Sequence, residues 1–277
     1  MKTVSCYFPG PRFPSVSVTG SDCALRCPHC AGLPLSAMLP AKTPNALLSL
    51  ARRLSEDGAL GFLLSGGCDS CGVVPLGRFL GAIRSIKEET GLRINAHIGY
   101  PGREDLGRLV ETGIDSFSVT FPMSDRIGAE VLGIENALSR YDEIADGPLK
   151  AGGRFVPHAL IGLGDEQEDA AGLELLASYE PKSIVVIVFT PIKGTPLSDA
   201  SPPADERIAV ALATARELMP RANLVLGCMR PRGKTELEGR LIEETLDGIV
   251  MPSVAALRNI SGRVGMKRLE GCCALYL

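Results

Sequence analysis

The stretch "GSDCALRCPHCAG", residues 20–32, holds Cys23, Cys27 and Cys30 at the spacing C-x3-C-x2-C. Thiolates bind soft or borderline metals, which points to zinc or iron–sulfur. A structural zinc ion takes four ligands, usually as paired C-x2-C units. Here "CDSC", residues 68–71, is the only near match to a second pair. A cubane 4Fe–4S cluster is usually held by four thiolates, so three would leave one iron open to a small molecule. Zinc with a distant fourth cysteine is the alternative reading.

The rest of the composition agrees with thiolate chemistry. The chain has 277 residues, nine cysteines, three histidines and no tryptophan. It is too long for a small disulfide-stapled scaffold, and clustered cysteines in a reducing compartment more often bind metal or do redox work. A formal net charge of −3 gives no electrostatic grip on nucleic acid or anionic lipid. The N-terminal "MKTVSCYFPGPRF" lacks the apolar core of a secretion signal, and "SIVVIVFTPI" has only strand length. A cytoplasmic protein with no nucleic-acid or membrane partner is the expectation.

The elements that must position these cysteines alternate in type. Strand-like runs lie at 16–19, 60–65, 92–97, 115–120, 154–161, 183–190, 223–229 and 247–252. Helical periodicity lies between them: Leu47, Leu50, Ala51 and Leu54 form one stripe, and Leu76, Phe79, Leu80 and Ile83 another. Thr43 before Pro44 reads as an N-cap with proline at the first helical position. Further stripes run through Leu106, Leu109 and Val110; Leu173, Leu176 and Ala177; Ile208, Leu212, Ala215 and Leu218; and Leu237, Leu241 and Ile242. Residues 124–146 read as helical without a clear stripe, and 253–260 as a short last helix.

Eight strand–helix units in order predict a single-domain parallel (β/α)8 TIM-type barrel over 1–277, with an open parallel sheet as the alternative. Residues 1–15 and 262–277 are expected as extensions covering the barrel mouth. Active sites of such barrels sit at the C-terminal ends of the strands. The three cysteines follow the first strand there, "SGGC" (65–68) the second, His97 the third and Thr120 the fourth. His158 lies in the fifth, "TPIKGTP" follows the sixth, and Cys228 and Arg230 end the seventh.

"CALRCPHC" resembles the C-x3-C-x-Φ-C signature of the radical S-adenosylmethionine (SAM) superfamily, with His29 at the usually aromatic Φ position. "SGGC" resembles that family's Gly-Gly-Glu stretch, although Cys68 replaces the acid and Asp69 follows it. "IGLGDE" (161–166) is similar to the segment that packs on adenine, and "FTPIKGTPL" (189–197) to the strand-six segment of the biotin synthase and hydrogenase-maturase branch. The resemblance implies a 4Fe–4S cluster on Cys23, Cys27 and Cys30 whose open iron chelates SAM. One electron from the cluster then splits SAM into methionine and a 5′-deoxyadenosyl radical, which abstracts hydrogen from an unactivated C–H bond. It also implies an electron donor such as ferredoxin or flavodoxin. The expected cosubstrate-binding residues are His29, Ser65, Gly66 and Gly67, with Ser118, Arg154, His158 and Gly162 further round the barrel.

Six cysteines remain. Each is as well explained by itself as a small buried hydrophobe. As a set, Cys68, Cys228, Cys272 and Cys273 suggest an auxiliary iron–sulfur cluster, with Cys6 and Cys71 as weaker candidates. Arg230 suits either that cluster or an ion pair at a helix start. A second cluster in such a barrel resembles biotin synthase and lipoyl synthase, where it supplies sulfur. "SVTGSDCALRCPHC", "SGGCD", "VPH", "GCMRPRG" and the terminal "CC" are most similar to the two-part lipoyl synthase of archaea and some bacteria, closest to its second subunit. That would imply an octanoyl substrate on a carrier protein and a paralogous radical SAM partner. The competing readings are a radical SAM enzyme of other chemistry, such as a mutase, ring-former or maturase, and a non-enzymatic iron–sulfur or zinc scaffold.

Overall fold

Strands buried on both faces read as continuous apolar runs, and helices beside them carry one apolar stripe. The computed structural model, which describes residues 2–147 and 154–276, folds along that pattern. The eight expected strands are β2 (Ser15–Ser17), β4 (Gly61–Ser65), β5 (Arg93–His97), β6 (Ser116–Phe121), β7 (Phe155–Ile161), β8 (Ser183–Val188), β9 (Asn223–Leu226) and β10 (Gly248–Val250). Between or beside them lie α1 (Pro44–Glu56), α2 (Leu80–Glu89), α3 (Arg103–Val110), α4 (Asp125–Glu130), α5 (Ala137–Ala145), α6 (Glu166–Ser178), α7 (Asp205–Leu218), α8 (Thr235–Glu244) and α9 (Val254–Asn259). Thr43 caps α1 by accepting from the Ala46 N–H at 3.2 Å, with Pro44 at the first helical position. The indistinct stretch 124–146 is two short helices, α4 and α5, joined by a turn.

Three strands escaped the sequence reading: β1 (Thr3–Phe8), β3 (Leu39–Pro40) and β11 (Gly265–Glu270). The 11-stranded sheet runs β11-β1-β10-β9-β8-β7-β6-β5-β4-β2-β3, and every strand pairing is parallel. The expected TIM-type barrel is therefore present in kind, as a half-barrel. No pairing among the described residues joins β3 to β11, so the ring is not closed by strands. The edge strand β11 carries Lys267, Arg268 and Glu270 and is mostly exposed, which hides its strand character and protects the open edge.

Two apolar clusters follow from this shape. The large one lies between sheet and helices and includes Leu47, Phe62, Ile83, Phe117, Tyr141 and Leu212. The smaller one fills the concave side: Tyr7, Val156, Val185, Val225 and Val250 meet Cys273 and Ala274 of the tail. The tail thus departs from the expected mouth cover. After β11 the chain turns at Gly271 (φ +104°), and its last 3-10 turn, Cys273–Leu275, enters the sheet's hollow. There the Leu275 carbonyl accepts from Arg93, at the start of β5, and from Arg154, just before β7, at 2.5 Å. Both arginines mark the N-terminal ends of strands, opposite the expected mouth. The first residues also join the sheet rather than cover it, because β1 lies between β10 and β11.

Leu275 is 2 % exposed and anchors this plug. Leu275→Ala is expected to cost ~2–5 kcal/mol, the usual range for removing a buried leucine side chain. Urea denaturation of the metal-free chain checks it.

Candidate functional site

The cysteine loop leaves β2 through a short hydrogen-bonded bend. Ser17 Oγ donates to the Gly20 carbonyl at 2.6 Å, and Thr19 Oγ1 accepts the Gly67 N–H at 2.7 Å. The Ala24 N–H donates to the Cys68 carbonyl at 2.8 Å. These bonds clamp the loop after β2 onto the loop after β4. Gly67 is required there, since a Cβ would lie 2.0 Å from the Asp22 carbonyl oxygen and 2.6 Å from Cys23 Cβ. The cysteines themselves sit on tight turns. Cys30 N and Ala31 N both donate to the Cys27 carbonyl, at 3.0 and 2.7 Å. Arg26 (φ 45°) and Ala31 (φ 48°) hold left-handed backbone, which side chains other than glycine adopt only at a cost.

The loops enclose a cavity of about 300 Å³, at the low end of ligand-site volumes. Cys23, Cys27, His29 and Cys30 line it from one side, and Ser65, Gly66, Gly67 and Cys68 from another. Ser118, expected from the sequence, also lines it, with His97 and Thr120. Leu132, Ile134, Leu160 and Ile187 form an apolar wall. Ligand atoms of Cys27, His29 and Cys30 lie within 4.8 Å of one another. The one Cys27 hydrogen is contested between the Leu132 carbonyl, 3.2 Å away, and the Cys30 sulfur. That shared hydrogen pulls the Cys30 thiol well below its ordinary value and pushes Cys27 up. His29 Nδ1 is buried without a partner. Convergent thiols, an unsatisfied imidazole nitrogen and adjoining free volume are the donor set that a thiolate-held metal cluster needs.

Other expected residues lie elsewhere. Arg154 is at the opposite end of the sheet, on the Leu275 carbonyl. Gly162 ends β7, donates to the Asp169 carboxylate at 3.0 and 3.2 Å, and packs near Pro203. His158 is buried behind the cavity wall, its ring 5.2 Å from that of His97 in an edge-on pair. The strand-six loop does reach the cysteines, with Leu197 N donating to the Pro28 carbonyl at 3.2 Å. Arg230 resolves to the ion pair: it holds Glu238 of α8 at 2.8 Å with both side chains 3 % exposed.

The expected auxiliary set divides in two. Cys68 belongs with the first three cysteines: burial, with the charges of Cys23, Asp69 and Cys30, pushes its thiol up to about 12. Cys228, Cys272 and Cys273 form a separate interior group. Cys272 and Cys273 share a hydrogen bond that lowers the first and raises the second, and Cys228 is raised by burial and by facing Cys272. As a residue Cys228 is nonetheless exposed.

Sequence reasoning missed Tyr100 and Asn95. Tyr100 lines the cavity, donates to the Thr120 carbonyl at 2.5 Å and carries the Arg140 guanidinium 5.7 Å from its ring centre. Its place three residues after His97, on the same rim, was the available signal. Asn95 is fully buried; its amide oxygen accepts from Ser118 Oγ at 3.0 Å and its nitrogen donates to Cys272 Sγ at 3.3 Å. One side chain thus connects the cavity to the interior cysteines.

The two histidines set an acid limit. Burial lowers His97 to about 3, with the charge of His158 second, and burial lowers His158 to about 4. Below pH 6.5 the unfolded chain takes up protons that the folded chain refuses, so stability falls with falling pH until the folded values are reached. By pH 5 that amounts to roughly 2 kcal/mol for each histidine. The double variant His97→Gln/His158→Gln is expected to lose far less stability between pH 7 and pH 5 than the parent, read as the pH slope of urea midpoints.

The fold and cavity define a parallel α/β barrel protein with a cluster of thiols at the C-terminal ends of its strands. The chain is 26 % identical over 287 residues to the biotin synthase of Halorhodospira halophila, covering 94 % of this chain and 85 % of that protein. It is 26 % identical over 231 residues to biotin synthase 2 of Paracoccus denitrificans, covering 80 % and 71 %. Among solved structures, HydG, a maturase of the FeFe-hydrogenase, superimposes with a TM-score of 0.65 at 17 % identity, over 90 % of this chain and 57 % of that one. Methylornithine synthase (PylB) gives 0.61 at 16 %, over 99 % and 80 %. Streptococcus suis SuiB bound to S-adenosylmethionine gives 0.61 at 12 %, over 94 % and 59 %. No protein-family profile matches the chain. Together these likenesses show a shared fold with HydG and PylB and a sequence resemblance to the biotin synthases over most of the chain. No helix among the described residues is long and apolar enough to cross a membrane.

Proposed function

We propose that this chain is a radical SAM enzyme that inserts sulfur at unactivated C–H bonds, in lipoyl assembly on an octanoyl-carrying protein. The observation that carries the sulfur-inserting reading is a second thiol group apart from the rim cysteines: Cys272 and Cys273 pack in the sheet's hollow, and Cys228 faces Cys272. The 26 % identical biotin synthases support the same class of chemistry.

Cys23, Cys27 and Cys30 would hold a 4Fe–4S cluster, and Cys228, Cys272 and Cys273 an auxiliary one. When bound with SAM, the first supplies the electron and the 5′-deoxyadenosyl radical, and the second supplies sulfur. The chain's own residues orient and protect. Gly66 and Gly67 let backbone approach the cysteine loop closely enough to leave the cavity clear. Leu132, Ile134, Leu160 and Ile187 keep water from a reactive intermediate and leave an apolar surface for an alkyl chain. His97 and His158 stay neutral at physiological pH and bring no charge to that wall. Asn95 holds Ser118 and Cys272 in fixed relation, so the two sites move as one piece. An electron donor such as ferredoxin or flavodoxin, a paralogous radical SAM subunit and a lipoyl carrier protein are the partners this reading requires.

The test is iron and sulfide counting after anaerobic reconstitution, beside Cys228→Ala. About eight irons per chain, falling to about four in the variant while 5′-deoxyadenosine formation persists and sulfur transfer stops, supports the reading. About four irons in both, with sulfur transfer absent, turns it to radical SAM chemistry of another kind. The interior group favours that second reading in one respect, since it offers three thiols rather than four.

A further inference from the structure

Cys68 is the cysteine whose place the fold changes most. It lines the rim cavity with Cys23, Cys27 and Cys30, so four thiols face one space of about 300 Å³. Its backbone cannot swing away. The Ala24 N–H holds its carbonyl at 2.8 Å, and Gly67 before it is wedged against Asp22 and Cys23 with no room for a Cβ. All four thiols interact: the charges of Cys23 and Cys30 act on Cys68, and that of Cys68 acts on Cys27. Cys68 lies outside the tight trio of Cys27, His29 and Cys30, whose ligand atoms crowd within 4.8 Å.

We propose that Cys68 is an exchangeable fourth thiolate of the metal site formed by Cys23, Cys27 and Cys30, seated on the iron those three leave open until an amino-carboxylate ligand displaces it. The exchange is redox-neutral. The iron–Sγ bond of Cys68 breaks as iron–nitrogen and iron–oxygen bonds form, the thiolate leaves with its electron pair, and a solvent proton neutralises it. Two consequences follow. The resting site is coordinatively complete and keeps its fourth iron under oxidant. SAM binding is weakened by the fraction of sites that Cys68 occupies.

The inference rests on the reading of Cys23, Cys27 and Cys30 as cluster ligands, and the experiment separates the two. The parent chain, Cys68→Ala and Cys71→Ala are reconstituted with iron and sulfide, and iron is counted. Cys71 is exposed and outside the cavity lining, so its variant serves as the control. Each sample is then titrated with a mild oxidant while the three-iron signal is followed by electron paramagnetic resonance, and SAM affinity is measured by equilibrium dialysis. Cys68→Ala is expected to lose the fourth iron at least about tenfold faster than the other two and to bind SAM about tenfold more tightly. Equal iron loss and equal affinity in all three overturn the proposal while leaving the three-cysteine cluster standing. Absence of iron from the parent overturns both. A measurement on the parent alone guards against a misfolded variant: alkylation of Cys68, read by peptide mass, is expected to be slow without SAM and to accelerate when SAM is added. An unchanged or reversed order overturns the proposal.

Discussion

Replacing Cys23, Cys27 and Cys30 together with alanine is expected to leave a folded barrel that binds about four fewer irons per chain and forms no 5′-deoxyadenosine above background. Each substitution removes one sulfur from a loop rather than from the main core. Cys23 and Cys30 are only half-buried, and Cys27 is 8 % exposed. Apart from the Cys27 thiol on the Leu132 carbonyl, the loop is held by the Thr19 hydroxyl on the Gly67 N–H and by backbone bonds from Ala24 to Cys68 and from Leu197 to Pro28, so its path survives the loss of the sulfurs. The chemistry does not survive, because the side chains left in the cavity supply no more than the Cys68 thiolate and the His29 and His97 imidazoles. Iron counting, circular dichroism and product analysis on the same sample check the expectation. A triple variant that still cleaves SAM would end the assignment of these cysteines.

The second large effect concerns folding rather than chemistry. Arg230 and Glu238 form an ion pair with both side chains 3 % exposed, and Arg230 also donates to the Gly227 carbonyl at 2.6 Å and the Val250 carbonyl at 2.7 Å. It thereby ties the end of β9 to the end of β10 and to α8. Glu238 accepts in addition from the Ser253 N–H at 2.7 Å, at the cap of α9. Glu238→Ala is expected to cost ~3–5 kcal/mol, because it strands a buried guanidinium. The double variant Arg230→Met/Glu238→Leu is expected to recover most of that loss, since removing both charges removes the desolvation cost as well. Urea midpoints of the single and double variants decide it. A single variant as stable as the parent would mean that water reaches the pair.

Arg230 also shows where sequence reading stops. Its position at a strand end matched a rim residue, and only the packing of α8 showed that its charge is already satisfied. Gly162 and Arg154 behave similarly. Each stands at a strand terminus, but the direction of its partner, Asp169 in one case and Leu275 in the other, depends on elements far along the chain. Cys68 was legible as a metal-binding candidate, yet its side of the fold was not. The alternation along β4 does not say whether a thiol just past its end turns towards the cysteine loop or towards the interior group.

By itself the sequence determined eight of the strands, the helical stripes between them, the capping of α1 and the three-cysteine loop after β2. Those features are local, written in periodicity, in cap chemistry and in spacing within one loop. Tertiary structure alone decided that the ring stays open, that β1 and the charged β11 extend it, and that the tail fills its hollow. It also decided that nine cysteines sort into a rim group of four, an interior group of three, and Cys6 and Cys71 apart. The physical reason is that pairing partners, burial of charge and proximity of thiols are set by contacts between residues far apart in the chain, such as Arg12 and Glu270, 258 positions apart. No local pattern encodes such contacts.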